Sequence, residues 1–117
     1  MTQPRLKAGI WVRGQIGICQ ANGITAMVVH KGNEDAGAVL LKLNRFAAGC
    51  FVYSRVTTME GELGWMQVAG GGSGDRETEM QCDKYCCRQI SFDRDIWVLE
   101  VEDHKSQYEL DAPIVEF

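Results

Sequence analysis

The chain has 117 residues, 45% of them hydrophobic and 24% charged, which suits one globular domain with its own core and excludes disorder of the whole. Its net charge of -4 excludes a nucleic-acid binder that relies on neutralising phosphates. The longest uncharged stretch, residues 14–29, is broken by Gln, Asn, Thr and glycines, so no membrane span is expected.

Charge is uneven along the chain: residues 1–45 carry +4 and residues 46–117 carry -8. Such a split can steer a partner or favour self-association, unless the two halves interleave in the fold. The five cysteines, Cys19, Cys50, Cys82, Cys86 and Cys87, are odd in number. No apolar block of signal length lies among Arg5, Lys7 and Arg13. Together these point to free thiols in a reducing cytoplasm.

Residues 1–4 read as a loose start. Ala8, Val12, Ile16 and Cys19 recur at helical spacing, predicting a helix from Ala8 to Gln20 that stops at Asn22-Gly23. Ile24–Lys31 reads as a strand, Gly32–Gly37 as the loop of a long hairpin, and Ala38–Arg45 as the next strand. Cys50–Val56 and a short stretch around Trp65–Val68 complete a four-strand meander. Residues 69–75 read as a flexible glycine-rich loop, followed by a helix from Glu77 to Gln89.

Arg88–Asp103 reads as a helix end, a tight acidic turn and a strand. Asp93 and Asp95 suit backbone-bonding positions of that turn. Trp97, Leu99 and Val101 share one face of the strand, while Ile96 and Val98 share the other with Glu100 and Glu102. Gln107–Leu110 is expected to return as a last strand, and residues 111–117 form a C-terminal tail. The expected fold is therefore a single α+β domain. It is a mostly antiparallel sheet of about six strands, in the order helix, four-strand meander, helix, two-strand hairpin, with both helices packed on one face.

Several stretches, Leu6–Val12, Asn33–Leu40, Tyr85 with Arg88-Gln89, Phe92–Val98 and Glu100–Asp103, resemble an uncharacterised, mostly alphaproteobacterial family. It is catalogued as domain of unknown function fourteen ninety-one. The resemblance covers nearly the whole chain. Two departures stand out: Arg94 replaces a usual proline, and the loop before the second helix is longer and richer in glycine. The resemblance implies a bacterial cytosolic protein and supplies no activity, cofactor or catalytic residue.

Cys82 and Cys86 lie one helical turn apart and could share a metal with Cys19, Cys50, His30 or His104. A structural zinc site, however, starts from two close cysteine pairs, and here there is no second pair. They are read as small apolar residues facing the core, with Cys87 on the flank, and no metal or cofactor is assigned. The Gly70–Gly74 loop lacks the Lys-Ser/Thr end of a phosphate loop and is followed by Asp75, Glu77 and Glu79. His30 and His104 accompany no nucleophile motif.

The remaining candidates are surfaces. Trp65, beside the glycine loop, is a candidate ligand or partner surface, together with Arg45, Arg88, Glu34, Asp35, Glu100, Glu102 and Asp103. Asp93, Asp95, Trp97 and Trp11 are read as turn and core. The first functional reading is a non-enzymatic module that binds a protein partner or forms a homodimer, through an exposed strand edge or the Trp65 region. The alternative is a small-molecule or divalent-metal enzyme using acidic residues at the sheet rim.

Overall fold

In the computed structural model, which describes residues 6–116, the first helix, α1, runs Ala8–Ala21. The loose start expected at residues 1–4 lies outside the described residues. The helix stops where Gly23 adopts a left-handed backbone, φ 69°. This lets Ile24 N donate to Cys19 O at 2.8 Å and Gly23 N to Gln20 O at 3.3 Å, so two carbonyls of the last turn are satisfied.

Four strands follow: β1 (Thr25–His30), β2 (Val39–Asn44), β3 (Cys50–Thr57) and β4 (Leu63–Gly71). A short 3-10 turn, Phe46–Ala48, joins β2 to β3. The second helix, α2, spans Arg76–Phe92, and β5 spans Trp97–Glu102. Asp75 caps α2, its carboxylate accepting from Thr78 N at 2.8 Å and Thr78 Oγ1 at 2.7 Å.

The strand order is β1-β5-β2-β3-β4, and three features of it differ from the expected sheet. First, β1 and β2 do not form a hairpin; β5 lies between them, antiparallel to β1 and parallel to β2. The sheet is therefore mixed. Every residue of β2 is buried, and β5 is apolar on both faces near its start, so both strands belong in the middle. The β4-to-β5 connection contains α2, which makes the parallel β2/β5 neighbour possible.

Second, the sheet has five strands among the described residues, not six. The strand expected at Gln107–Leu110 is irregular because the Asp103 carboxylate takes the amides of Gln107 and Tyr108, at 2.9 Å each. Those donors are then lost to any ladder. Third, the helices lie on opposite faces. Ala8, Trp11, Val12 and Cys19 of α1 pack with Val39, Leu41, Leu43, Trp97, Leu99 and Val101. Cys82 and Cys86 of α2 pack with Leu40, Val52, Ile96 and Val98. β2 and β5 carry apolar residues on both sides, Leu40 and Val98 toward α2 and the larger set toward α1, so one face alone could not bury them. Each fully buried Leu or Val contributes about 1.5–3 kcal/mol.

The β1–β2 connection docks on the turn before β5. Asn33 N donates to Asp95 O at 2.9 Å, and Trp97 Nε1 donates to Asn33 O at 2.7 Å. A Cβ on Gly32 would meet Asp95 O at 2.1 Å, so only glycine permits this approach. Beyond β5, the tail runs beside β4, where Trp65 N donates to Pro113 O at 2.9 Å and Val115 N donates to Trp65 O at 2.8 Å.

Candidate functional site

The densest charged group is centred on Lys42, a residue of β2 that is only 4% exposed. Its ammonium lies 2.7 Å from Asp83 Oδ1, 3.2 Å from Glu79 Oε2 and 3.5 Å from Glu100 Oε1. Asn44 Nδ2 also donates to Glu79 Oε2, at 3.0 Å. Glu79 and Asp83 stand one turn apart on α2, and Glu100 is the parallel partner of Lys42 on β5. Burial works to lower the Lys42 pKa, but the Asp83 hydrogen bond, the Glu100 charge and the Glu79 bond outweigh it and raise the pKa above its ordinary value. Burial raises the Glu100 carboxyl, opposed by Lys42. This group fastens α2 to the sheet. A lysine between two leucines, together with an acidic i,i+4 pair on the second helix, was the sequence signal for it; of this group, sequence reasoning named only Glu100 as a candidate site residue.

Asp103, expected at the acidic rim, is 1% exposed. Besides holding two amides it lies 3.3 Å from Arg45 Nε, and Arg45 donates to Tyr108 O at 2.7 Å. Tyr108 Oη in turn donates to Gln15 Oε1 at 2.8 Å. Asp103 and Arg45 thus hold the chain after β5 in place. Glu102 is partly exposed, and it shares a cleft of about 240 Å³ with Asp103 and His104 that neither Arg45 nor Arg88 lines.

Trp65, expected at a partner surface, is 1% exposed. Its Nε1 donates to Asp111 Oδ1 at 2.9 Å, and Trp11 Nε1 donates to Asp111 Oδ2 at 2.7 Å. The two indoles lie 5.2 Å apart. One carboxylate therefore satisfies both tryptophans and anchors the tail, a role that no local pattern around Asp111 announces.

The other candidate carboxylates are dispersed. Glu34 pairs with Arg13 at 3.0 Å and Asp35 with Lys7 at 3.4 Å, all largely exposed. Asp93 Oδ1 accepts from Asp95 N at 2.9 Å within its own turn. Arg88 sits over the Phe92 ring at 5.9 Å. Four of the five cysteines are buried and Cys87 is exposed. Burial pushes the Cys86 thiol up to about 12. Among the described residues, no group of three or more His, Cys, Asp or Glu side chains is placed to hold a metal ion, and no helix is long and apolar enough to cross a membrane.

What stays open is an edge. β1 is an outer strand, and β5 is its partner on the inner side. Among the described residues nothing pairs with its outer side. Its sequence, Thr25-Ala26-Met27-Val28-Val29-His30, holds no Lys, Arg, Asp, Glu or Pro. Met27 and Val28 are each 41% exposed and Val29 51%. A bulge between Val28 and His30 shifts the register there, leaving residues 25–28 regular. Edge strands are ordinarily blunted by charge, proline or cover. Here the opposite edge, β4, is partly covered by the chain's own tail.

The class these features define, among the described residues, is a small α+β domain with a mixed five-stranded sheet between two helices, in which the buried Gln15, Lys42, Asn44 and Asp103 are hydrogen-bonded within the fold. The chain belongs to the family described as "Protein of unknown function (DUF1491)", whose model matches residues 6–111. It is similar to a DUF1491 family protein from Caulobacter crescentus CB15, with 34% identity. In that protein's crystal structure the match covers 95% of this chain and 100% of that one, at a TM-score of 0.81. An NMR structure of a DUF1491 family protein from Caulobacter crescentus CB15 is also 34% identical, with shares of 97% and 100% and a TM-score of 0.76. Protein Atu0922 from A. tumefaciens is 25% identical, with 92% of this chain and 90% of that chain covered and a TM-score of 0.66. No curated protein matches the chain.

Proposed function

We propose that this chain is a non-enzymatic interaction module that docks an extended strand, from a protein partner or a second copy, on the outer edge of β1. The observation that carries this reading is the uncharged β1 edge, unpaired on its outer side among the described residues, with Met27, Val28 and Val29 exposed along it. Free backbone donors and acceptors there supply affinity, and alternating apolar side chains supply selectivity. The carboxylates weighed for acid–base work support this by being occupied elsewhere: Glu100 with Lys42, Asp103 with Arg45 and two amides, Asp93 within its turn. Five free thiols, four of them buried, suit a reducing compartment such as a bacterial cytoplasm.

The test is a titration of the isotope-labelled chain with a heptapeptide of alternating Thr and Val, followed by amide chemical shifts. Shifts confined to Thr25–His30 and its β5 partners are expected. Shifts centred elsewhere, or none at millimolar peptide, would remove the reading.

A further inference from the structure

We infer that the strand β1 accepts is β1 of a second copy, run antiparallel about a two-fold axis and centred on Met27. This rests on the edge-docking reading above and names the partner.

The register follows from side-chain alternation. Ala26 and Val28 stand opposite Val101 and Leu99, on the α1 face of the sheet, whereas Thr25 and Met27 stand opposite Glu102 and Glu100, on the α2 face. Residues directly opposite in an antiparallel pair share a face. A two-fold pairing centred on Met27 therefore sets Met27 against Met27 and, on the other face, Ala26 against Val28 twice. Both sets are apolar, and the second matches a small side chain to a branched one. Moving the centre to Val28 would instead oppose Met27 with Val29, the residue at the bulge.

Charge favours the same arrangement. The start of β1 lies beside Glu102, its register neighbour, while the end of β1 runs into His30 and Lys31. Antiparallel pairing brings the Lys31 end of each copy toward the Glu102 end of the other. A parallel pairing would align like ends and would not close on itself. A foreign strand would have to supply that complementarity, whereas a second copy carries it already. Six residues span only about 20 Å, and a single short strand from each copy buries well under the about 800 Å² per partner of a standard interface, so the dimer is weak and concentration-dependent.

The experiment is sedimentation equilibrium of the full chain in reducing, low-salt buffer, for the wild type, Met27→Lys, Met27→Glu and an equimolar mixture of the two variants. Each variant is checked by circular dichroism. Met27 is 41% exposed, so both variants are expected to fold. The wild type should dimerise reversibly, each variant at least tenfold more weakly, and the mixture should recover association beyond either alone. A wild type that stays monomeric to millimolar concentration, or a mixture no better than its components, overturns the proposal. If that monomeric wild type still shows Thr25–His30 shifts with the Thr/Val heptapeptide, self-pairing fails and edge docking stands; if the peptide is silent too, both fail. Should a charged variant unfold, Met27→Cys in a Cys87→Ser background gives a second readout. Under copper–phenanthroline oxidation it should form a disulfide dimer faster than Thr25→Cys in the same background, and equal rates overturn the register.

Discussion

Replacing Lys42 with methionine keeps the side chain's length and removes its charge, which isolates the electrostatic role of the group between α2 and the sheet. Removing one partner from a buried ion pair typically costs about 3–5 kcal/mol, because the charge left behind stays desolvated. Here the discount is set by the partners. The Glu79 and Asp83 side chains are 44% and 57% exposed and can rehydrate, but Glu100 is only 17% exposed and cannot. The expected loss for Lys42→Met is therefore about 2 kcal/mol, or roughly 6–12 °C in Tm for a chain of this size. Adding Glu100→Gln removes the stranded charge and should recover about half of that loss.

The pH dependence gives an independent check. Burial raises the folded Glu100 pKa above its ordinary value, and loss of the opposing Lys42 charge raises it further. A carboxyl with a raised folded pKa contributes stability that is present below its unfolded pKa and lost as pH rises through the folded one. The deficit of Lys42→Met against the wild type should thus shrink as pH falls from 7 toward the ordinary glutamate value of 4.5. Thermal unfolding by circular dichroism at several pH values measures all of this. A deficit near zero at pH 7, a deficit that ignores pH, or a double variant no better than the single would refute the account.

Other outcomes follow from individual contacts. Asp111→Asn leaves one carbonyl for two indole donors and turns an amide group toward one of them, so about 1–3 kcal/mol of stability should be lost and the tryptophan emission altered. Gly32→Ala pushes a Cβ into Asp95 O and must separate the β1–β2 loop from the turn before β5. A Tm drop well beyond that of Gly14→Ala, where nothing lies within 4 Å, is expected. A thiol reagent at pH 8 should label one cysteine, Cys87, in the native chain and all five in denaturant.

Local chemistry was readable from the chain alone. Gly23 ends α1, Asp75 opens α2, and the strand positions lie where β-branched and apolar residues cluster, because caps, turns and periodicity act within a few residues. The two-faced character of Trp97–Glu102 was legible for the same reason. So was the family, since its residues are spread over nearly the whole chain.

Neighbours across the sheet were not legible in that way. Alternating apolar strands are interchangeable as pairing partners, so nothing within β1 says that β5, about 70 residues later in the chain, will displace β2 from its side. The burial of Trp65 depends on Asp111 returning from the tail, and that of Lys42 on α2 crossing the other face. Asp103 became a backbone anchor because its carboxylate, turned inward, met two amides that a sixth strand would have used. Short-range pattern thus determined most of the elements, and the motifs that resemble the family marked its membership. Which edge stays open, and which charges are buried, was decided by long-range packing, since pairing energy depends on what stands opposite rather than on what comes next.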